Sequence, residues 1–143
     1  MSENRPSWDE VWMETARTIA RRSCDPRNHV GAIVVTSDNT QVLSVGYNGN
    51  YKGGPNEVES ATPGESGMLH AEINCLLKMD YNSPKRKVMY VTLSPCRMCC
   101  KAIINAGIDE VVYGEEYRDT SGLEILKSSG ISVRSGRDIV PAS

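Results

Sequence analysis

The sequence predicts an α/β fold of three layers, α/β/α, in which a five-stranded mixed sheet carries helices on both faces. Three observations predict it. Runs of strand and helix character alternate through the second half of the chain, and such alternation implies a sheet covered on both sides. An early hairpin makes its own pair antiparallel, while the later strand–helix–strand crossovers make the remaining pairs parallel. A length of 143 residues is enough to bury a core of its own. A single domain over 1–143 is therefore expected, with 1–6 and 135–143 loose.

The elements follow in order. Ser7-Trp8-Asp9-Glu10 has the form of a capping box, and Trp8, Val11, Trp12, Thr15, Ala16, Ile19 and Ala20 recur at helical spacing behind it. Asp25-Pro26 requires a stop near Ser23, because the residue before proline is pushed out of the helical region. Gly31–Thr36 is β-branched, Ser37-Asp38-Asn39 is turn-forming, and Gln41–Val45 completes the hairpin. Gly46-Tyr47-Asn48-Gly49 opens a loop rich in Gly, Pro, Asn and Glu that lasts to about Gly67, a length associated with functional or mobile loops. Leu69–Met79 reads as a helix, Val88–Leu93 as a strand, and Cys96–Ala106 as a helix started by Ser94-Pro95 and closed by Gly107. Ile108–Tyr113, Ser121–Ser129 and Ile131–Arg134 complete the pattern as strand, helix and strand. Trp8 and Trp12 are expected to pack the first helix, and Asp119 to cap the last.

Composition narrows the function. With 39% hydrophobic and 24% charged residues, the chain has the profile of a soluble globular domain. No apolar run reaches the roughly 20 residues of a membrane span, and Met1–Pro6 lacks the apolar core of a secretory signal. A cytoplasmic protein with no membrane partner is expected. The net charge of -2 argues against gripping a long nucleic acid. Lys85-Arg86-Lys87 is the one basic run of three, and reads as a solvated loop before a strand. Five cysteines, three of them within 96–100, make a poor disulfide framework and suggest metal or redox chemistry.

Three features carry chemistry: His70-Ala71-Glu72, Pro95-Cys96, and Cys99. Zinc favours thiolate and imidazole ligands in a tetrahedron. Cys96 and Cys99, three apart at the start of a predicted helix, present both sulfurs on one side, where the helix N-terminus favours thiolate. His70 supplies a third ligand. Three protein ligands leave one position for water, the pattern of a catalytic site, and zinc lowers the pKa of such a water to about 7. Glu72 is placed to take its proton. Cys24 and His29 lack further partners and are assigned loop or core roles. Cys75 and Cys100 are expected to be small buried residues.

The spacing H-x-E with P-C-x-x-C is the signature of zinc-dependent nucleobase deaminases. Other stretches sharpen the comparison: Arg22-Ser23 with Asp25-Pro26; Val30-Gly31-Ala32; Gly46-Tyr47-Asn48-Gly49; His70 through Asn74; Tyr90 through Cys96; Ile103-Ile104; Ala106-Gly107-Ile108; and Val111-Val112-Tyr113. Over residues 8–134 the sequence resembles the deoxycytidylate (dCMP) deaminases of the cytidine deaminase superfamily. The resemblance implies a cytidine deaminase-like fold and hydrolysis of dCMP to dUMP and ammonia, which supplies dUMP for thymidylate synthesis. It implies one catalytic zinc per chain on His70, Cys96 and Cys99, with Glu72 as the proton carrier. Val30 and Ala71 would pack on the base, Asn48 would hold sugar and base, the Ser94 carbonyl and the Cys96 amide would contact the amine or the attacking oxygen with Pro95 beside them in the substrate site, and Tyr117 would line the pocket mouth. Arg22, Ser23, Arg27 and Asn28 are the candidates for the 5′-phosphate.

The resemblance further implies a homo-oligomer, a hexamer, activated by dCTP and inhibited by dTTP with Mg2+ on the triphosphate. The associated effector element is Gly46, Tyr47, Asn48, Gly49 and Asn50. Relatives with a second, structural zinc hold it with extra Cys and His, and none occurs between Asn56 and Leu69. The alternatives are a nucleoside cytidine deaminase, a deaminase that accepts dCTP, a transfer-RNA adenosine deaminase, and a non-enzymatic zinc-binding nucleotide sensor.

Overall fold

The computed structural model describes residues 5–142. Helix α1 (Trp8–Ala20) precedes strands β1 (Gly31–Thr36) and β2 (Val42–Tyr47). Then come α2 (Ala71–Leu77), β3 (Lys87–Leu93), α3 (Arg97–Asn105), β4 (Glu110–Glu115), α4 (Ser121–Ser128), β5 (Ser132–Ser135) and a 3-10 turn at Gly136–Asp138. The five strands form one sheet in the order β2-β1-β3-β4-β5.

The mixed sheet is as expected, but one pairing differs. β1 is antiparallel to β3 as well as to β2, and only β3–β4 and β4–β5 are parallel. The reason is topological. The crossover through α2 leaves β2 and returns in β2's direction, but β1 already occupies the place beside β2, so β3 pairs on β1's far edge. β1 therefore has a strand on either side, and all six of its residues are buried.

Each crossover moves the same way along the sheet. Right-handedness therefore brings α2, α3 and α4 to one face and leaves α1 for the other. The core divides accordingly. Val34, Met89, Val91 and Val111 pack with Cys75, Leu76, Ile103 and Leu126 beneath the three helices. Ile33, Val35, Tyr90 and Val112 pack with Met13 and Ala16 of α1. Alternate residues of the same strands serve the two cores, as the two-residue strand period requires.

Helix α1 starts with both bonds of the capping box: Ser7 accepts from the Glu10 amide, and Glu10 accepts from the Ser7 amide. Trp12 is half-buried and donates to Asn39 Oδ1 at 2.9 Å, but Trp8 remains 54% exposed and stacks on Trp12 at 5.3 Å. Gly46 is explained by the approach of α2 to β2: a Cβ there would lie 2.5 Å from the Cys75 nitrogen and 2.6 Å from the Ala71 oxygen.

Two local expectations change. Lys87 is not in a solvated loop. It begins β3, is buried, and donates through Nζ to the carbonyls of Ser83 and Lys85; Lys85 and Arg86 pair at the surface with Asp38 and Asp109. The tail is also held where the sequence suggests looseness. Beyond β5 it makes the 3-10 turn, and Val140 bonds through its amide to Asp9 and through its carbonyl to the Ser7 hydroxyl. Alternating pattern and turn signals carry no information about such contacts between distant side chains and backbone. Residues 1–4 and 143 lie outside the described residues.

Candidate active site

The predicted ligands converge because two chain breaks meet over the C-terminal end of β3. His70 has extended backbone (φ -69, ψ 153) and is the N-cap of α2, which begins one residue later. Cys96 is likewise the N-cap of α3, and its sulfur accepts from the Cys99 amide at 3.5 Å. Both ligands therefore sit one residue before the observed helices, where the sequence had placed them inside Leu69–Met79 and Cys96–Ala106. Cys99 lies in the first turn of α3 and is buried.

His70 Nδ1 is 3.3 Å from Cys99 Sγ and 3.5 Å from Cys96 Sγ, and the three donor atoms all lie within 4.8 Å of one another. A tetrahedral zinc with bonds of about 2.3 Å to sulfur and about 2.0 Å to nitrogen sets nitrogen and sulfur roughly 3.5 Å apart. The donor set thus fits zinc in both chemistry and spacing. Bonds from the Cys99 thiol and the His70 ring hold Cys96 down at about 4. The bond to Cys96, with burial, pushes Cys99 far up. His70 is raised chiefly by its contact with Cys96.

Glu72 sits in the first turn of α2, 4% exposed, and lines the same cavity as His70 and Cys96. Burial pushes its carboxyl up to about 7, against the smaller opposing effect of His70. A carboxyl poised near neutrality can both take and return a proton. Cys100 is buried, donates to the Pro95 carbonyl at 3.6 Å and lies outside the ligand cluster. Cys75 is also buried and Cys24 is exposed; neither is part of that cluster.

The cavity has a volume of about 610 Å³, within the range of small-molecule sites. Of the predicted substrate residues, Arg27, Asn28, Val30, Asn48, Ala71, Ser94 and Tyr117 line it. Arg22, Ser23 and Pro95 do not. Arg22 is exposed beyond the end of α1. Ser23 is buried, and its hydroxyl donates to the Asn48 carbonyl at 2.9 Å and accepts from the Asp25 amide at 3.2 Å. Pro95 is buried in the turn before α3.

Asn48 has a structural duty as well. Its Oδ1 accepts from the Val30 amide and its Nδ2 donates to the Asn28 carbonyl, both at 2.8 Å. Asp25 was read from the sequence as part of the Asp25-Pro26 break and given no site role, yet it is buried, accepts from the Arg27 amide at 2.8 Å and lines the cavity. Met68, Ser66 and Pro63 of the long loop, and Glu115, Glu116 and Arg118 after β4, also line it. The length of the 47–67 loop marked it as functional, but no residue type within it indicated which members reach the site.

Among the remaining effector candidates, Gly46 is filled by α2, Tyr47 accepts from Asn74 through its carbonyl, Gly49 bridges to Leu69, and Asn50 donates to the Pro55 carbonyl. No described helix is long and apolar enough to cross a membrane.

Comparison with known proteins agrees with this geometry. The family model for the cytidine and deoxycytidylate deaminase zinc-binding region matches residues 6–115. Human deoxycytidylate deaminase is 33% identical over 143 residues, an alignment covering 89% of this chain and 78% of that protein. The deoxycytidylate deaminase of Mycobacterium phage D29 is 36% identical over 128 residues, covering 79% of this chain and 98% of the phage protein. The crystal structure of dCMP deaminase from cyanophage S-TIM5 in complex with dCMP and dUMP superposes with a TM-score of 0.79 at 35% identity, covering 93% of this chain and 99% of that one. Fold, ligand cluster and matched sequence lead to one conclusion: the chain belongs to the cytidine and deoxycytidylate deaminase family of zinc-dependent enzymes.

Proposed function

We propose that this enzyme hydrolyses dCMP to dUMP and ammonia, with Glu72 as its proton carrier. One observation carries the reading. A single cavity joins a metal-binding corner and a buried carboxyl to a rim that bears Arg27 and Asn28. The S-TIM5 relative, of the same fold, binds dCMP and dUMP.

Zinc on His70, Cys96 and Cys99 supplies Lewis acidity toward the attacking water. Glu72 accepts a proton from that water and passes it to N3 of the cytosine as oxygen adds at C4; it then takes the remaining proton of the added hydroxyl and delivers it to the amine, which departs as ammonia as the C4 carbonyl forms. Ala71 and Val30 confine the ring, Asn48 holds the sugar, and the backbone around Ser94 meets the amine. Arg27 and Asn28 take the phosphate. The Arg27 guanidinium in that lining is of no use to an uncharged nucleoside, which favours the nucleotide over cytidine.

The product would feed thymidylate synthesis. Regulation by dCTP and dTTP with Mg2+, and assembly into a hexamer, belong to the same reading. Its support is the retained Gly46-Tyr47-Asn48-Gly49 element, since Asn48 touches both that element and the cavity. An effector acts only by distinguishing two states, and the loop from Tyr47 to Gly67 is the segment long enough to supply them.

The test is ammonia release from dCMP, dCTP, deoxycytidine and cytidine side by side, with dCMP assayed also in the presence of each triphosphate plus Mg2+. dCMP should have the highest kcat/KM, dCTP should raise its rate and dTTP should lower it. Equal efficiency on deoxycytidine sinks the substrate assignment, and a hyperbolic curve indifferent to both triphosphates removes the regulation. Metal analysis should find one zinc per chain, lost in His70→Ala or Cys99→Ala and kept in Cys100→Ser; retention by Cys99→Ala would overturn the ligand set.

A further inference from the structure

We propose that Asn74 is a positioning residue for the deamination, its side-chain amide holding the segment that carries Asn48 in register with the segment that carries His70 and Glu72. The inference rests on the reading above only in seating the pyrimidine between Asn48 and Glu72. It gives a role to a residue that neither the metal site nor the proton transfer uses.

Asn48 stands at a junction. Its own bonds all run toward the loop between α1 and β1. Its amide donates to the Val30 carbonyl at 3.2 Å, its side chain bonds the Val30 amide and the Asn28 carbonyl, and its carbonyl accepts from the Ser23 hydroxyl. Its neighbours on either side are tied the other way, toward the start of α2. The Gly49 amide donates to the Leu69 carbonyl at 3.0 Å and the Leu69 amide to the Gly49 carbonyl at 2.8 Å, which makes a bridge of one residue pair. Asn74 completes it. Its Nδ2 donates to the Tyr47 carbonyl at 2.9 Å and to the Leu69 carbonyl at 3.4 Å, and its backbone amide donates to the His70 carbonyl at 3.0 Å. Among the described residues, Asn74 is the one side chain hydrogen-bonded to both segments.

The consequence is a fixed separation. Tyr47 precedes Asn48 and Leu69 precedes the ligand His70, so one carboxamide joins the neighbours of a substrate contact and of a metal ligand. Asn48, His70 and Glu72 line one cavity, as do Pro63, Gly64, Ser66 and Met68 of the loop that leaves and returns across the bridge. A single bridging pair is far short of a self-supporting ladder, which leaves the two Nδ2 bonds to hold the register. A carboxamide offers two N–H donors to two carbonyls, whereas a carboxylate of the same shape offers acceptors only. The groups that bind the nucleotide stay on their own segment when the clip is lost. The cost therefore falls on attack geometry, where a misplacement of about 1 Å is worth on the order of 10²-fold.

The experiment compares wild type, Asn74→Asp, Asn74→Ala and, as a control, Ser44→Ala, all assayed well below their thermal transitions. Ser44 donates to the Cys75 carbonyl at 2.6 Å, so its loss weakens the seat of α2 without touching the bridge. The readouts are zinc per chain, hydrogen exchange at the Gly49 and Leu69 amides, and kcat and KM for whichever of dCMP, dCTP, deoxycytidine and cytidine wild type deaminates fastest. Both Asn74 variants should lower kcat by about 10- to 100-fold, keep KM within a few-fold, retain zinc and exchange faster at both amides. Ser44→Ala should keep kcat within a few-fold. Asn74→Ala, which brings no charge, decides the matter if Asn74→Asp does not fold. A merely structural role would leave kcat in the Asn74 variants as near to wild type as in Ser44→Ala; that result, loss of zinc along with activity, or unchanged exchange at Gly49 and Leu69 overturns the inference. A wrong substrate assignment shows itself in wild type, in which compound reacts fastest, and leaves this comparison intact.

Discussion

Glu72→Gln should retain zinc and fold, yet lose turnover by about 10²–10⁴-fold, the contribution of a general acid–base group. The substitution keeps the size and polarity of a side chain that is 4% exposed, so the surrounding core has nothing to refill. It leaves His70, Cys96 and Cys99, the clustered donors, untouched. What disappears is a group able to accept a proton and give it back. Burial has already moved that group to about 7, where neither protonation state is costly at neutral pH. The measurements are kcat from ammonia release, zinc per chain, and the thermal transition. Activity within a few-fold of wild type would remove Glu72 from the mechanism. Loss of zinc alongside activity would show instead that the carboxyl supports the metal.

Arg134→Met should lower stability by about 3–5 kcal/mol, the cost of stranding the buried partner of an ion pair. Arg134 on β5 donates to Asp9 Oδ2 at 2.6 Å and Oδ1 at 3.0 Å, and to Glu110 Oε2 at 2.6 Å. Tyr90 donates to the same Asp9 at 2.5 Å, and the Val140 amide adds a fourth bond at 2.9 Å. One carboxylate in the first turn of α1 thus joins the centre of the sheet, its edge strand and the C-terminal segment. Burial alone would raise Asp9, but the bonds from Arg134 and Tyr90 outweigh it and hold the group at about 2.

The sign of the pH dependence follows. A carboxylate whose folded pKa is depressed stabilises the fold above its unfolded pKa, near 3.8, and that contribution is lost as pH falls toward the folded value. Wild type should therefore lose stability between about pH 4 and pH 2, and the deficit of Arg134→Met should shrink over the same window. Thermal or urea unfolding across pH reads both effects. Because α1 and the zinc corner lie on opposite faces of the sheet, the variant should still deaminate substrate when assayed well below its lowered transition. A transition unmoved by the substitution would mean that the network contributes nothing net.

The fold was legible wherever local chemistry decides local structure. The capping box, the Asp25-Pro26 break and the hairpin turn at Asn39, which has the left-handed φ of 62°, each depend on a few consecutive residues. The metal ligands were legible for a related reason: soft donors at fixed spacing beside two helix starts have few other uses. The residues proposed for the phosphate were less so. Arg22, Ser23, Arg27 and Asn28 are neighbours in sequence, but the turn made by Asp25 sends the last two toward the cavity while Ser23 is consumed inside the protein.

By itself, then, the sequence determined the alternation of strand and helix, the three zinc donors with their adjacent carboxyl, and the membership of the deaminase family that these reveal. The first two follow from residue type and spacing along the chain, which helix and strand periods convert directly into direction; the third follows from resemblance over the quoted stretches and the family match. Only the tertiary structure decided that β1 stands antiparallel between β2 and β3, that Asp9 and Arg134 meet 125 residues apart, and that Arg118 shares a cavity with Arg27. Those arrangements depend on which elements pack side by side, and burial and hydrogen bonding settle that over the whole molecule at once.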